Sequence, residues 1–281
     1  MRFHQDTRDQ QAKEARDRCD QLRPKLTELS VELKKKLLQD AQRPALEGHL
    51  GAQAFALWEA ETTTYDPIIE EDVVQEARLD AQYTELTAGA QLSFQGQTSN
   101  LSEIVKYREH PDRSIRQAAE QVRWQWFADH RETLDDIFDQ LVKLRHGMAQ
   151  KLGFDNFVDL GYQRMMRVDY NQQDVARYRQ MVLKEVTPFG NQLRSYQAQQ
   201  LGIDKTMSWD EAVYYPEGNP APGDDYDHMI RQAQSMFADI GYGLDDFFQL
   251  MVDGQFMDLQ NREGKAGGGF CTSFDQYGMP Y

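Results

Sequence analysis

A chain of 281 residues can hold one large domain or two smaller ones, and its 40% apolar and 27% charged content is ordinary for a globular protein. Its 31 Lys and Arg against 46 Asp and Glu leave a formal net charge of −15, which repels phosphate backbones and anionic lipid and disfavours nucleic-acid or membrane partners. Two cysteines, Cys19 and Cys271, no apolar leader at the N-terminus and no membrane-length apolar run point to a soluble, cytoplasmic protein in a reducing compartment.

Helical periodicity dominates in chain order. From Gln5 to about Gln39 a charged segment repeats Leu22, Leu26, Leu29, Leu33 and Leu37 at steps of three and four. That spacing predicts one apolar face with coiled-coil-like packing, kinked or restarted at Pro24. Gly48 to Ala60 and Ala90 to Phe94 are ambiguous. Asn100 and Glu103 form a possible capping arrangement for a helix that Pro111 ends, and Asp112 can cap the next. The inner face of that next helix would be Ile115, Ala118, Ala119, Val122 and Trp126. Leu134, Ile137, Phe138, Leu141, Leu144 and Met148 define another, closed by Gly153. Asn171 opens a long helix carrying Val175, Val182, Phe189 and Tyr196, with Pro188 as a bend. Tyr226 to Ile240 is the last clear helix, ended by Gly241, after a loop rich in proline and glycine from Tyr214 to Asp225.

Extended structure is expected only at Gly268 to Phe274, where a glycine run cannot support a helix and Phe270, Thr272 and Phe274 alternate. The fold class is therefore mostly α and multi-helical, with a small β element at the C-terminal glycine-rich segment. A division into an N-terminal helical region, 1–99, and a second helical portion, 100–281, is expected.

The residues that usually carry chemistry are scattered. The six histidines are His4, His49, His110, His130, His146 and His228, and no two stand three or four apart as a helical zinc pair requires. No nucleophile elbow and no C-x-x-C occurs. Gly264-Lys265 is followed by Ala266 where a phosphate loop needs Ser or Thr. Paired acids such as Asp135-Asp136 and Asp245-Asp246 read as solvated helix faces. Trp124, Trp126 and Phe127 read as helical core, and so do Met165 and Met166.

Gly267, Gly268 and Gly269 with Phe270 are the candidate substrate-binding residues. Glycines let another backbone approach closely, so the segment can offer an edge to an extended peptide. A plain tight turn into a sheet explains the same residues equally well.

Four segments together carry a family resemblance. They are NLSEIVKYREHPDRSIRQAAEQVRWQWFADHR from Asn100, DQLVKLRHGMAQKLGFDNFVDLGYQRMMRVDY from Asp139, YYPEGNPAP from Tyr214 and GKAGGGFCTSF from Gly264. Their order resembles the oligoendopeptidase F family of thimet-oligopeptidase-like zinc metallopeptidases. The resemblance implies a helical ellipsoid with a central cleft, short peptides as substrates, and zinc held by an H-E-x-x-H helix plus a downstream glutamate. In that family the zinc helix follows the glycine-rich strand, and here the sequence stops at Tyr281. The chain is accordingly expected to be truncated before the motif, to offer no catalytic or metal-binding residue, and to bind no zinc by itself. A non-catalytic helical peptide-binding or interaction module is the alternative. The oligomeric state is left open.

Overall fold

The structure, a computed structural model, describes residues 2–220, 225–274 and 278–280. A short α1 (Arg2–Gln5) precedes the long α2 (Gln10–Gln39), and the Asp9 carboxylate caps α2 by accepting the Gln11 and Ala12 N–H groups at 2.8 and 3.1 Å. The helix therefore starts later than its periodicity suggests, and it continues through the buried Pro24. Its inward stripe is mixed. Ala12, Pro24 and Val31 are buried, with Arg16 and Asp20 turned inward as an ion pair at 3.6 Å. Leu22, Leu26, Leu29 and Leu33 stand 55–65% exposed, so the coiled-coil-like core expected of them is not formed within this chain.

Gly51, at φ +91°, separates α3 (Arg43–Leu50) from α4 (Ala52–Thr63). Then come α5 (Glu70–Ala88), α6 (Arg113–Asp129), α7 (Arg131–Lys151) and α8 (Phe157–Arg164). Val31, Tyr65, Ile69, Met148, Ala149 and Leu160 form the first core, joining α2, α5, α7 and α8. Burying such side chains stabilises the body by roughly 1.5–3 kcal/mol for each large one.

A hairpin missed by the periodicity lies between α5 and α6. β1 (Leu92–Phe94) pairs antiparallel with β2 (Gln97–Ser99), Phe94 opposite Gln97. Gln95 and Gly96 both have positive φ, the geometry of a two-residue hairpin turn. Leu92 and Phe94 face a second core with Ile104, Ala119 and Trp126. The expectation that sheet is confined to the C-terminal segment is corrected accordingly. Asn100 and Glu103 do cap reciprocally: Asn100 Oδ1 accepts the Glu103 N–H at 2.9 Å and the Glu103 carboxylate accepts the Asn100 N–H at 3.2 Å. Trp124, Phe138, Met165 and Met166 are exposed rather than core, and Met166 sits at φ +57° just past the end of α8.

The second part of the chain is more open. Asn171 and Asp174 box the start of α9 (Gln172–Met181), a π turn spans Val182–Val186, and α10 (Thr187–Gln200) follows. Pro188 lies in the first turn of α10, and the widened turn before it accommodates a residue without an N–H. This composite helix is held at its ends. Gln172 donates to Asp159 at 2.6 Å, and Gln197 donates to the Val213 carbonyl at 2.6 Å. Nothing between 172 and 196 is buried. After the Tyr214–Asp225 loop, of which 221–224 lie outside the described residues, come α11 (Tyr226–Ile240) and α12 (Leu244–Asp253). They pack on each other with Phe237 stacked on Phe248 at 4.7 Å, and α12 was not anticipated.

One ion-pair cluster ties this second layer to the first. Asp210 is fully buried in the 3₁₀ turn Ser208–Asp210 and takes Arg113 at 2.8 Å and Arg116 at 2.8 Å. Burial pushes its carboxyl up, but bonds from Arg113, Arg116 and the Met207 N–H outweigh it and hold the group below the usual carboxylate range. Arg116 is itself 3% exposed and also donates to the His110, Pro111 and Trp209 carbonyls. Replacing Asp210→Ala strands a buried guanidinium and is expected to cost about 3–5 kcal/mol in urea unfolding. A loss under about 1 kcal/mol would contradict this role.

Candidate functional site

The glycine-rich segment is docked onto the far end of the sequence. The Thr7 N–H and hydroxyl both donate to the Gly264 carbonyl, at 2.8 and 2.9 Å. The Ala266 N–H returns a bond to the His4 carbonyl at 2.9 Å, and the Arg262 guanidinium donates to the Gln5 carbonyl at 2.8 Å. Gly264 is buried at φ +79°, a backbone conformation that strains any residue with a Cβ, and a Cβ there would also displace the Arg8 side chain, 2.6 Å away, so the position favours glycine. From the other side the Asn100 and Asn261 amides exchange bonds at 3.2 and 3.1 Å.

Asp258 organises the turn itself. It takes Arg262 in a fork at 2.7 and 2.8 Å and Lys265 Nζ at 3.0 Å. Lys265 also donates to the Asp258 and Gln260 carbonyls, which fixes the chain just before the glycines. The Arg262 bonds above all, then Lys265, hold the Asp258 carboxyl down at about 2.

Beyond this clasp, Gly267, Gly268, Gly269 and Phe270 are all exposed. The three glycines make no backbone hydrogen bond among the described residues. Gly267 and Gly268 form a bend, with Gly268 at φ +94°. Regular extension begins only at β3 (Ser273–Phe274), paired antiparallel with β4 (Met279–Pro280). The extended run expected over Gly268 to Phe274 is thus shorter, because the positive φ at Gly268 takes the backbone out of the β region. Residues 275–277 lie outside the described residues.

A cavity of about 1320 Å³ lies between α1, α2 and α5 with His4 and Phe274 in its lining, and the glycine segment is tied to His4 by the Ala266 bond and by Phe270, edge-on to the His4 ring at 6.3 Å. Its wall carries Glu76, which takes Arg145 at 2.6 Å and Arg164 at 2.7 Å. Burial raises the Glu76 carboxyl, while Arg164 and then Arg145 bring it net below its ordinary value. Tyr65, also in the lining, has a buried hydroxyl without a hydrogen-bond partner. None of Asp258, Arg262, Glu76, Arg145 or Arg164 was singled out in the sequence. Only the i, i+4 spacing of Asp258 and Arg262 could have pointed to one pair.

Among the described residues no three His, Cys, Asp or Glu side chains gather to hold a metal. His130 stacks on Trp126 at 4.2 Å with Nδ1 2.8 Å from the Trp126 carbonyl, and His110 Nδ1 accepts the Asp112 N–H at 3.0 Å. No helix among the described residues is long and apolar enough to cross a membrane.

Comparison with known proteins gives this geometry its context. Residues 1–65 match the peptidase M3 N-terminal domain, and residues 106–238 match peptidase family M3. The chain belongs to the M3 peptidase family. Pz peptidase A, solved with an inhibitor, superposes with a TM-score of 0.96 at 39% identity over 100% of this chain. A protein described as oligoendopeptidase F from Bacillus anthracis str. Ames gives 0.94 at 38%, and another oligoendopeptidase F structure gives 0.96 at 38%, both over 100% of this chain. The resemblance read from the sequence is borne out. This M3 chain spans about half the length of these relatives, covering 50%, 52% and 50% of them. A comparison with curated proteins returned no match.

The Asp258 carboxyl, lowered in the folded state to about 2, contributes stability that is complete above its unfolded value of about 3.9 and fades as pH falls toward 2. The Tm gap between wild type and Asp258→Asn is therefore expected to be full near neutrality and to close between roughly pH 4 and 2. A gap independent of pH would show that the Arg262 and Lys265 pairing does not hold the clasp.

Proposed function

We propose that this chain is one part of a zinc-dependent metalloendopeptidase of the oligoendopeptidase F type, which hydrolyses short peptides, and that it holds substrate rather than cleaving it. The observation that carries this is the exposed backbone at Gly267, Gly268 and Gly269, which makes no backbone hydrogen bond among the described residues and leaves the Asp258 clasp next to Ala266, itself bonded to His4 of a cavity wall. A peptide in extended form can exchange main-chain hydrogen bonds with such an edge, and residues without side chains leave room for its backbone. Phe270, next to the edge, offers an apolar contact.

The catalytic zinc of the family would then be held by residues in the half of the relatives that has no counterpart here. The division into an N-terminal helical region, 1–99, and a peptidase portion, 100–281, is supported by the separate family matches at 1–65 and 106–238. Two exposed free cysteines fit a cytoplasmic setting, and a charge of −15 argues against nucleic-acid or anionic-membrane partners. A helical module that holds peptides without any hydrolytic partner is the second reading. The exposed glycine segment favours it to the same degree, since among the described residues no three His, Cys, Asp or Glu side chains gather to hold a metal.

Metal analysis of the purified 281-residue chain and a quenched fluorescent peptide assay test the proposal. The chain alone is expected to carry no stoichiometric zinc and to be inert. Fused to the second half of Pz peptidase A, it is expected to show chelator-sensitive turnover. Chelator-sensitive turnover by the chain alone would overturn the proposed division of labour, and an inert but folded fusion would favour the peptide-holding module.

A further inference from the structure

The composite helix from Gln172 to Gln200 presents an apolar stripe that stands exposed among the described residues. Tyr178, Met181, Val186, Phe189, Leu193 and Tyr196 are each 52–62% exposed. Their spacing is three or four residues except between Met181 and Val186, where it is five. That longer step falls on the π turn Val182–Val186, whose wider turn takes up the extra residue and keeps all six on one face. At 1.5 Å per residue the helix is roughly 40 Å long, and six half-exposed apolar side chains along one face of it form the kind of contiguous apolar surface that marks an interaction site.

We propose that this stripe is the docking surface for the second half of an M3 peptidase, the catalytic segment that the solved relatives carry and that has no counterpart in this chain. The proposal rests on the peptidase reading above and names its partner surface. Three observations favour that occupant. The chain superposes whole on relatives twice its length at TM-scores of 0.94–0.96, so the helix sits where it sits in them. Among the described residues the helix is fastened near its ends, through Gln172 to Asp159 and through Arg194 and Gln197 to Glu211 and Val213. Between those fastenings nothing buries it, although an amphipathic helix draws most of its stability from a packed apolar face. A second copy fits less well, because two chains of charge −15 repel each other.

Co-expression of this chain with the second half of Pz peptidase A, and a single-chain fusion of the two, test the surface through assembly and stability, with turnover read separately. A 1:1 complex is expected by light scattering, weakened at least tenfold by Phe189→Asp with Leu193→Asp. In the fusion the same pair should lower Tm by several degrees, while in the 281-residue chain alone it leaves Tm unchanged because both side chains are already exposed. A fusion Tm indifferent to the pair, or a self-dimer of this chain that the pair dissolves, would overturn the proposal. A complex without turnover would keep the surface and sink the peptidase reading. Turnover without dependence on the stripe would do the reverse.

Discussion

The buried fork between Asp210 and the arginines of α6 sets the relation between the two layers of this chain. Asp210 is fully buried and Arg116 nearly so, Arg113 reaches in from the surface, and the desolvation of the carboxylate is offset by the two guanidiniums and a backbone N–H. Arg116 uses its remaining donors on carbonyls at 110, 111 and 209, so one side chain closes the loop before α6 and the turn after α10 at once. The end of the composite helix follows from that turn through Gln197, and the exposed stripe follows from the helix. A charge cluster in an otherwise apolar seam thus fixes the orientation of a surface some distance away.

The clasp does the corresponding work for the glycine edge. Residues 4–7 and 261–266 are separated by nearly the whole chain, yet they exchange backbone bonds in both directions. Asp258 makes that junction rigid by neutralising Arg262 and Lys265 together. The glycines beyond are consequently presented with their main chain open to water instead of folding back into a local turn. The peptide-docking role proposed for Gly267 to Phe270 depends on this presentation more than on any side chain.

Much of this architecture was legible in the sequence. Local signals were read well where they are strong: the caps at Asn100, Asp112 and Asn171 form as their residue types dictate, and Gly153 and Gly241 close their helices at positive φ. The family order of four segments gave the fold outright. The failures share a cause. Periodicity shows that a face is apolar without showing what covers it, so Leu22 to Leu33, Trp124, Met165 and Met166 were read as packed when they are open. The hairpin at 92–99 was hidden because each strand has only three residues. The Glu76, Asp210 and Asp258 clusters join residues that are distant or unremarkable in sequence, and only the fold brings them into contact.

A fold closed around α2 to α8 and open along the composite helix makes a claim about local stability that is independent of any activity. Amide hydrogen exchange on the 281-residue chain measures it directly. The account predicts slow exchange through the core of α5 and α7, and exchange orders of magnitude faster along 173–193, where tertiary packing is missing. Uniform protection across both regions would mean that the stripe is already covered, and would contradict the reading of the composite helix as an open docking face.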